Sequence, residues 1–263
     1  MFLATMIMFI VFAILQAFTP SVGWLAVIIG GQPCHHGSLC RRGHFKLGRS
    51  AHHTEDRSVW HRHRRPLHHA GIVGPDIDMA IECHWKYSVN DVIKYCNAVE
   101  HVNPIWVEDP TPPENVETME RVSRATNTPI CTGENLYGLS QFAPLIIRQA
   151  CAGVHIDIPK SGGLFEGKRI SDFADLYGIW TACHNPASAV GTIASAHAAA
   201  SVRNFRVHEL AGGRDPWTFE MVTHEGPFFK DGCFVIEDKP GLGVDLNPDV
   251  VKAHLAPGEV WWG

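Results

Sequence analysis

Glu82, Glu108 and Glu134 stand 26 residues apart, and each closes a short, largely apolar run. The runs are Asp78-Met79-Ala80-Ile81, Ile105-Trp106-Val107 and Pro129-Ile130-Cys131-Thr132-Gly133. One strand, one loop and one returning helix consume about 25 to 30 residues in an α/β barrel. That interval sets the three carboxylates on neighbouring parallel strands, at the same end. Converging carboxylates make a hard, oxygen-only site suited to Mg2+, one ion per site. Solvated surface carboxylates, the bland alternative, would have no reason to recur at this interval.

The elements that must carry these groups continue past them. Asp157 ends Gly153-Val154-His155-Ile156, His184 ends Ile179-Trp180-Thr181-Ala182-Cys183, and Glu209 ends Phe205-Arg206-Val207-His208; the intervals from Glu134 onward are 23, 27 and 25 residues. Amphipathic helices fit between them. Asn115 is placed to cap a helix in which Val116, Met119, Val122 and Ala125 share a face. Residues 164–177 put Ile170, Phe173, Ala174 and Tyr177 on one stripe, and 189–202 are small and apolar nearly throughout, as a helix pressed on a barrel would be. Six strands alternating with five helices, polar tips at one end, read as an α/β fold: part of a TIM-type (β/α) barrel whose active site lies at that end.

Four motifs and one tetrapeptide then fall in order. Trp106-Val107-Glu108-Asp109-Pro110, Thr132-Gly133-Glu134-Asn135, Asp157-x-x-Lys160-x-Gly162-Gly163 and His184-Asn185-Pro186 together resemble the mandelate racemase branch of the enolase superfamily. Within it, Glu82-Cys83-His84-Trp85 is most similar to the acid-sugar dehydratases of the galactonate type. The resemblance covers about residues 71 to 263. Where that family usually has aspartate as its first metal ligand, this chain has Glu82.

The resemblance implies a Mg2+-dependent lyase that turns an aldonate or hexonate into a 2-keto-3-deoxy acid, and the chemistry of the residues supports it. Removing a proton beside a carboxylate creates an enediolate, whose charge a cation held by Glu82, Glu108 and Glu134 would stabilise. His184 is the candidate base, oriented by Asp157 from the preceding strand. His84 lies two residues beyond Glu82 and, protonated, would help a β-hydroxyl leave as water. Glu209 would hydrogen-bond the substrate carboxylate or the enediolate, with Lys160 and Asn135 as further substrate contacts. Structural roles compete with each. His84 could pack beside Trp85, Asp157 could cap a turn, Glu209 could pair with Arg214, Asn135 could begin a loop, and Lys160 could be solvated. His197, inside an alanine-rich helix, reads as a packed residue.

Two other motifs are set aside. Gly162-Gly163-Leu164-Phe165-Glu166-Gly167-Lys168 begins like a phosphate-binding loop, but Arg169 stands where Ser or Thr must reach magnesium. The glycines read instead as a tight strand-to-helix turn. Cys34, His35, His36 and Cys40 offer zinc-type donors without a second well-spaced pair.

With 263 residues and 45% hydrophobic content the chain can bury one substantial core, and a net charge of −5 gives no electrostatic case for nucleic acid. Cys83, Cys131 and Cys183 end apolar strands beside acidic groups and read as reduced core residues of a cytoplasmic enzyme.

Residues 1–70 do not share the pattern: an apolar run over 1–18 is followed by a stretch rich in Arg, His, Gly and Ser. The expectation is a misjoined start rather than a module, the alternative being a membrane anchor through residues 1–18. The barrel residues are then 71–225, with a hairpin and tail over 226–263. Relative to the family, a capping domain and two earlier strands, with their Lys-x-Lys base, find no counterpart; only Lys46 stands in that region. An unclosed barrel has exposed parallel edges that invite pairing, so a homo-oligomer is one expectation. Two rivals to the dehydratase stand beside it: a racemase, epimerase or cycloisomerase of the same superfamily, and a non-catalytic remnant attached to a membrane or partner.

Overall fold

The computed structural model describes residues 78–210, 215–230 and 233–262. The expectations for residues 1–70, the Cys and His group at 34–40, Lys46 and Arg214 lie outside these described residues.

The apolar runs become six parallel strands: β1 (Ala80–Glu82), β2 (Trp106–Glu108), β3 (Ile130–Thr132), β4 (Gly153–Asp157), β5 (Trp180–His184) and β6 (Phe205–His208). They pair strictly in chain order in one curled sheet. Parallel neighbours need a crossover, and helices provide it: α1 (Val89–Val99), α2 (Val116–Arg124), α3 (Gly138–Ile147), the single turn α4 (Ile158–Ser161) with α5 (Gly163–Asp175), and α6 (Ala189–Ala200).

Side chains alternate across a strand, and the sheet sorts them accordingly. Ile81, Val107, Ile130, Val154 and Ile156 face outward into a core shared with the helices, including Val92, Met119, Leu145 and Ile170. Ala80, Trp106, Cys131, Ala182 and Val207 form a second cluster inside the curl. There the Trp106 and Trp180 rings lie 5.3 Å apart. Gly153 makes room for them, since a Cβ on it would come within 2.2 Å of the Trp180 ring. This apolar plug is the floor on which the polar strand ends rest.

The helices follow the sequence pattern closely. Asn115 caps α2, its side chain accepting from the Thr118 N–H at 3.2 Å, and Met119 and Val122 are fully buried. α5 ends two residues before Tyr177, where Gly178 takes a left-handed φ of 71° and Ile179 N–H returns to the Ala174 carbonyl. The strand-to-helix turn expected at Gly162-Gly163 is present, with φ of 123° and 85°, but one helical turn, α4, precedes it because Asp157 caps that turn. Cys83, Cys131 and Cys183 are buried free thiols, and burial pushes Cys183 up to about 12.

The tail forms two small antiparallel pairs, β7 (Val222–Thr223) with β10 (Asp245–Leu246) and β8 (Phe229–Lys230) with β9 (Cys233–Phe234), before a last helix α7 (Pro248–Ala253). Val222 and Phe234 pack on Ala189, Ile193 and Ala196 of α6, and His197 Nε2 lies 3.3 Å from the Leu242 carbonyl. His197 therefore fastens tail to barrel, in keeping with a packed residue. Among the described residues no helix is long and apolar enough to cross a membrane.

Candidate active site

Register brings the polar tips together. Glu82 is paired with Glu108 across β1 and β2, and Asp157 with His184 across β4 and β5. Glu134 arrives differently. Cys131 already faces inward, so a regular strand would carry residue 134 to the outer face. Gly133, at a φ of 132°, re-aims the chain; a Cβ there would lie 2.6 Å from the Phe142 ring. Only glycine tolerates that combination.

The centre of the site is a run of imidazole and carboxylate contacts. His184 Nδ1 lies 3.0 Å from Asp157 Oδ2, and its Nε2 lies 3.1 Å from Glu134 Oε2 and 3.9 Å from Glu209 Oε2. Asp157 serves twice, because its Oδ1 accepts from the Lys160 N–H at 3.0 Å. The cap and the dyad, alternatives in the sequence, therefore coexist. Burial alone would lower the His184 pKa, but the Asp157 hydrogen bond and the charges of Glu134 and Glu209 outweigh it and hold the imidazole at about 9.

His155, on the inward face of β4 two residues before Asp157, forms a second such centre. Its Nδ1 lies 2.8 Å from Glu108 Oε1, and its Nε2 3.9 Å from Glu209 Oε2. Burial opposes its charge, yet Glu108, Glu209 and Glu134 raise its pKa to about 10. Glu108 answers in kind: against the cost of burial, His155 and the Trp106 indole N–H, which donates at 2.7 Å, draw it down to about 2.

The other carboxyls move the opposite way. Burial and then the charges of Glu108, Asp109 and Glu134 push Glu82 well above the usual carboxylate range. A hydrogen bond shared by the two carboxyls raises Glu82 further and lowers Glu108, while Glu82 Oε1 accepts from the His84 N–H. Asp109 is pushed up by burial, Glu134 and Glu108, and Glu134 by burial with Glu108 and Glu209 outweighing the two imidazoles. Crowded carboxyls that hold protons are what a divalent cation relieves.

The donor set fits such a cation. Glu108 and Glu134 offer it carboxylate oxygens; one ligand atom of each, and one of His155, lie within 4.8 Å of one another, and His155 Nδ1 is already engaged by Glu108. Glu82 is attached to this group through Glu108 rather than forming part of it. The expected glutamate triad is thus brought to one place, with two members converged and the third turned back on its own loop.

The remaining expected residues are close by. His84 is partly exposed on a left-handed turn (φ 49°), its Nδ1 4.0 Å from Glu82 Oε1 and its ring 4.2 Å from Trp85. Burial and Lys86 lower its pKa, and His184 adds to that. The Asn185 backbone N–H donates to Glu209 Oε2 at 3.1 Å, and the Asn185 side chain donates to the Glu209 carbonyl at 3.2 Å. Lys160 Nζ donates to Asn135 Oδ1 at 2.8 Å, so these two form a pair.

Three groups at the site were not singled out from the sequence. His155 stands inside an apolar run that hides it, although a two-residue period from Asp157 puts it on the same inward face. Asn185 stands in the His184-Asn185-Pro186 motif, whose residue order does not disclose its role. Asp109 has a φ of 43°, accepts from the Thr132 hydroxyl at 2.6 Å, and has an Oδ2 with no hydrogen-bond partner among the described residues. Its left-handed backbone leaves no trace in the residue order.

The chain is similar to known proteins over most of its length. The family model described as enolase C-terminal domain-like matches residues 62–250. A D-xylonate dehydratase of Haloferax volcanii is 34% identical over 223 residues, covering 82% of this chain and 54% of that protein. A D-gluconate/D-galactonate dehydratase of Picrophilus torridus is 30% identical over 187 residues, covering 71% of this chain and 47% of the other. The crystal structure of a mandelate racemase/muconate lactonizing enzyme-like protein from Rubrobacter xylanophilus superposes with a TM-score of 0.75 at 36% identity, over 78% of this chain and 52% of that one. The chain spans about half the length of these relatives. With a sheet in this order, carboxylates on three successive strand ends and a His–Asp pair across the next two, the chain belongs to the enolase C-terminal domain-like family of the enolase superfamily.

Proposed function

We propose that this chain is the catalytic part of an acid-sugar dehydratase, a lyase that converts an aldonate to its 2-keto-3-deoxy acid with one Mg2+ at the strand ends. The observation that carries the reading is His184, held at Nδ1 by Asp157 and presenting Nε2 among Glu134 and Glu209. The names of the Haloferax and Picrophilus relatives point to pentonates and hexonates as the substrate class.

Glu108 and Glu134 would hold the cation, with Glu82 joining once its proton is lost. Bound there, the cation supplies positive charge against the oxyanion that develops on the substrate carboxylate. The remaining chemistry is that of the chain's own residues. Asp157 accepts the Nδ1 proton of His184, which fixes the ring so that Nε2 faces the substrate. His184 Nε2 takes the α-proton, and the electrons of the C–H bond pass into the carboxylate as an enediolate. The bond from the β-carbon to its hydroxyl oxygen then breaks as the protonated form of His84 delivers a proton to that oxygen, and water leaves. The enol that remains takes a solvent proton at C3 and becomes the ketone. Glu209, fixed by Asn185, hydrogen-bonds the carboxylate end of the substrate, and the Lys160–Asn135 pair contacts its hydroxyls.

His84 favours dehydration over racemisation. A racemase needs a second base on the opposite face, whereas an acid near the cation side serves elimination. The test is to incubate the full chain with Mg2+ and a panel of pentonates and hexonates, D-xylonate first, and to assay 2-keto-3-deoxy acid. Product from at least one member is expected. A folded, Mg2+-binding chain that converts none would overturn the reading.

A further inference from the structure

His155 has no part in the proton transfers above, yet it is 1% exposed and sits between two carboxylates with different duties. Its Nδ1 is hydrogen-bonded to Glu108 Oε1 at 2.8 Å, on the cation side. Its Nε2 has no hydrogen-bond partner among the described residues and faces Glu209 Oε2 at 3.9 Å, on the substrate side. The Trp106 ring, at 6.2 Å, and the nearly perpendicular ring of His184, at 5.4 Å, flank the imidazole.

A histidine that only neutralised Glu108 would do so with its second nitrogen bonded to a backbone carbonyl or left in an apolar pocket. Here that nitrogen is aimed at the other functional carboxylate. A rotation of Glu209 of about 1 Å would bring the pair to ordinary hydrogen-bond distance. Buried polar nitrogens are rarely left unpaired in folded proteins.

We propose that His155 is a positioning residue that ties Glu108 to Glu209 through its two ring nitrogens, and so fixes the span between the cation and the carboxylate end of the substrate. This rests on the dehydratase reading for what Glu209 does, but not for the link itself. Partners that orient a metal-binding carboxylate typically change metal affinity or activity about 10- to 100-fold when removed.

The two arms can be cut separately, because an asparagine amide nitrogen falls near the place of Nδ1 and a glutamine amide nitrogen near that of Nε2. His155→Asn is expected to keep the Mg2+ dissociation constant, measured by calorimetry, within about 2-fold, and to lower kcat at saturating Mg2+ about 10-fold or more. His155→Gln is expected to weaken Mg2+ about 10-fold while holding kcat at saturating Mg2+ within about 3-fold. In a Glu209→Gln background, His155→Asn should cost nothing further in kcat. Both variants losing both quantities together, neither losing either, or full additivity with Glu209→Gln would overturn the proposal.

Chains with His155 intact guard against poor folding of the variants. In 15N-histidine-labelled protein the His155 Nε2 resonance should shift on Glu209→Gln, and an Nε2 resonance indifferent to Glu209 would also overturn the link. If the wild-type chain binds Mg2+ but turns over no sugar acid, the dehydratase reading fails instead. The Mg2+ and resonance measurements, which need no turnover, still decide the link.

Discussion

His184 draws opposing demands from its surroundings. Asp157 orients it, while Glu134 and Glu209 hold on its Nε2 the proton that a base must lack. Replacing it with Asn should therefore abolish turnover, by about 100- to 10,000-fold, while leaving Mg2+ binding in place. Asp157→Asn should keep the ring but lose its orientation, and lower kcat about 100-fold. Steady-state kinetics beside calorimetry separates the two effects. A second consequence concerns protons. Glu82, Asp109 and Glu134 are raised by burial and mutual repulsion, and His184 stands at about 9. A cation entering among them must expel protons, so Mg2+ affinity should rise with pH up to about 9. The calorimetric heat should accordingly differ between buffers of unlike ionisation enthalpy. An enthalpy independent of buffer would mean that these groups are already ionised.

At the scale of elements, the site depends on where regular strands stop being regular. Gly133 is the clearest case, since its φ of 132° and its closeness to Phe142 turn Glu134 inward. Gly133→Ala should cost about 1–3 kcal/mol in backbone strain, read as a lower urea midpoint, and should weaken Mg2+ binding beyond what the stability loss explains. An unchanged Mg2+ affinity would show that Glu134 finds its place without this turn. The same irregularities mark what the sequence could disclose. The 26-residue interval placed Glu82, Glu108 and Glu134 at one sheet end, because strand, helix and return consume a fixed length of chain. Asn115 announced its cap because an Asx side chain before an apolar stripe has few other uses. Asp157 and His184 were legible as a pair because parallel neighbours one unit apart must meet. His155 is hidden in the sequence by the apolar residues on either side, and only the strand period sets it beside Asp157. That Glu82 bends back toward His84, and that Asp109 adopts a left-handed backbone, depend on tertiary contacts that spacing does not encode.

For the molecule as a whole, the titratable groups gathered at the strand ends set how stability depends on pH. His155 and His184 have folded pKa values of about 10 and about 9, above the ordinary imidazole value of about 6.5. Their contribution is therefore fully present below about pH 6.5 and is lost as pH rises through about 9 to 10. The raised carboxyls act in the same direction. Glu108, drawn down to about 2, acts oppositely: its contribution is present above about pH 4.5 and is lost as pH falls toward 2. The metal-free chain should thus lose stability steadily from pH 6.5 to 10 in urea titrations, and saturating Mg2+ should flatten that slope. A metal-free chain whose stability rises over this range would contradict the arrangement of charges described for the site.

In the proposed reaction His184 removes a proton beside a carboxylate and a neighbouring hydroxyl then leaves. Nuclear magnetic resonance of the full chain with Mg2+ and D-xylonate or a related sugar acid in D2O tests both halves at once. The expected result is a 2-keto-3-deoxy acid carrying one deuterium at C3, formed by the wild-type chain and not by His184→Asn. Recovery of the sugar acid with deuterium at C2 and every hydroxyl retained would contradict elimination, and product formed equally well by His184→Asn would contradict the assigned base.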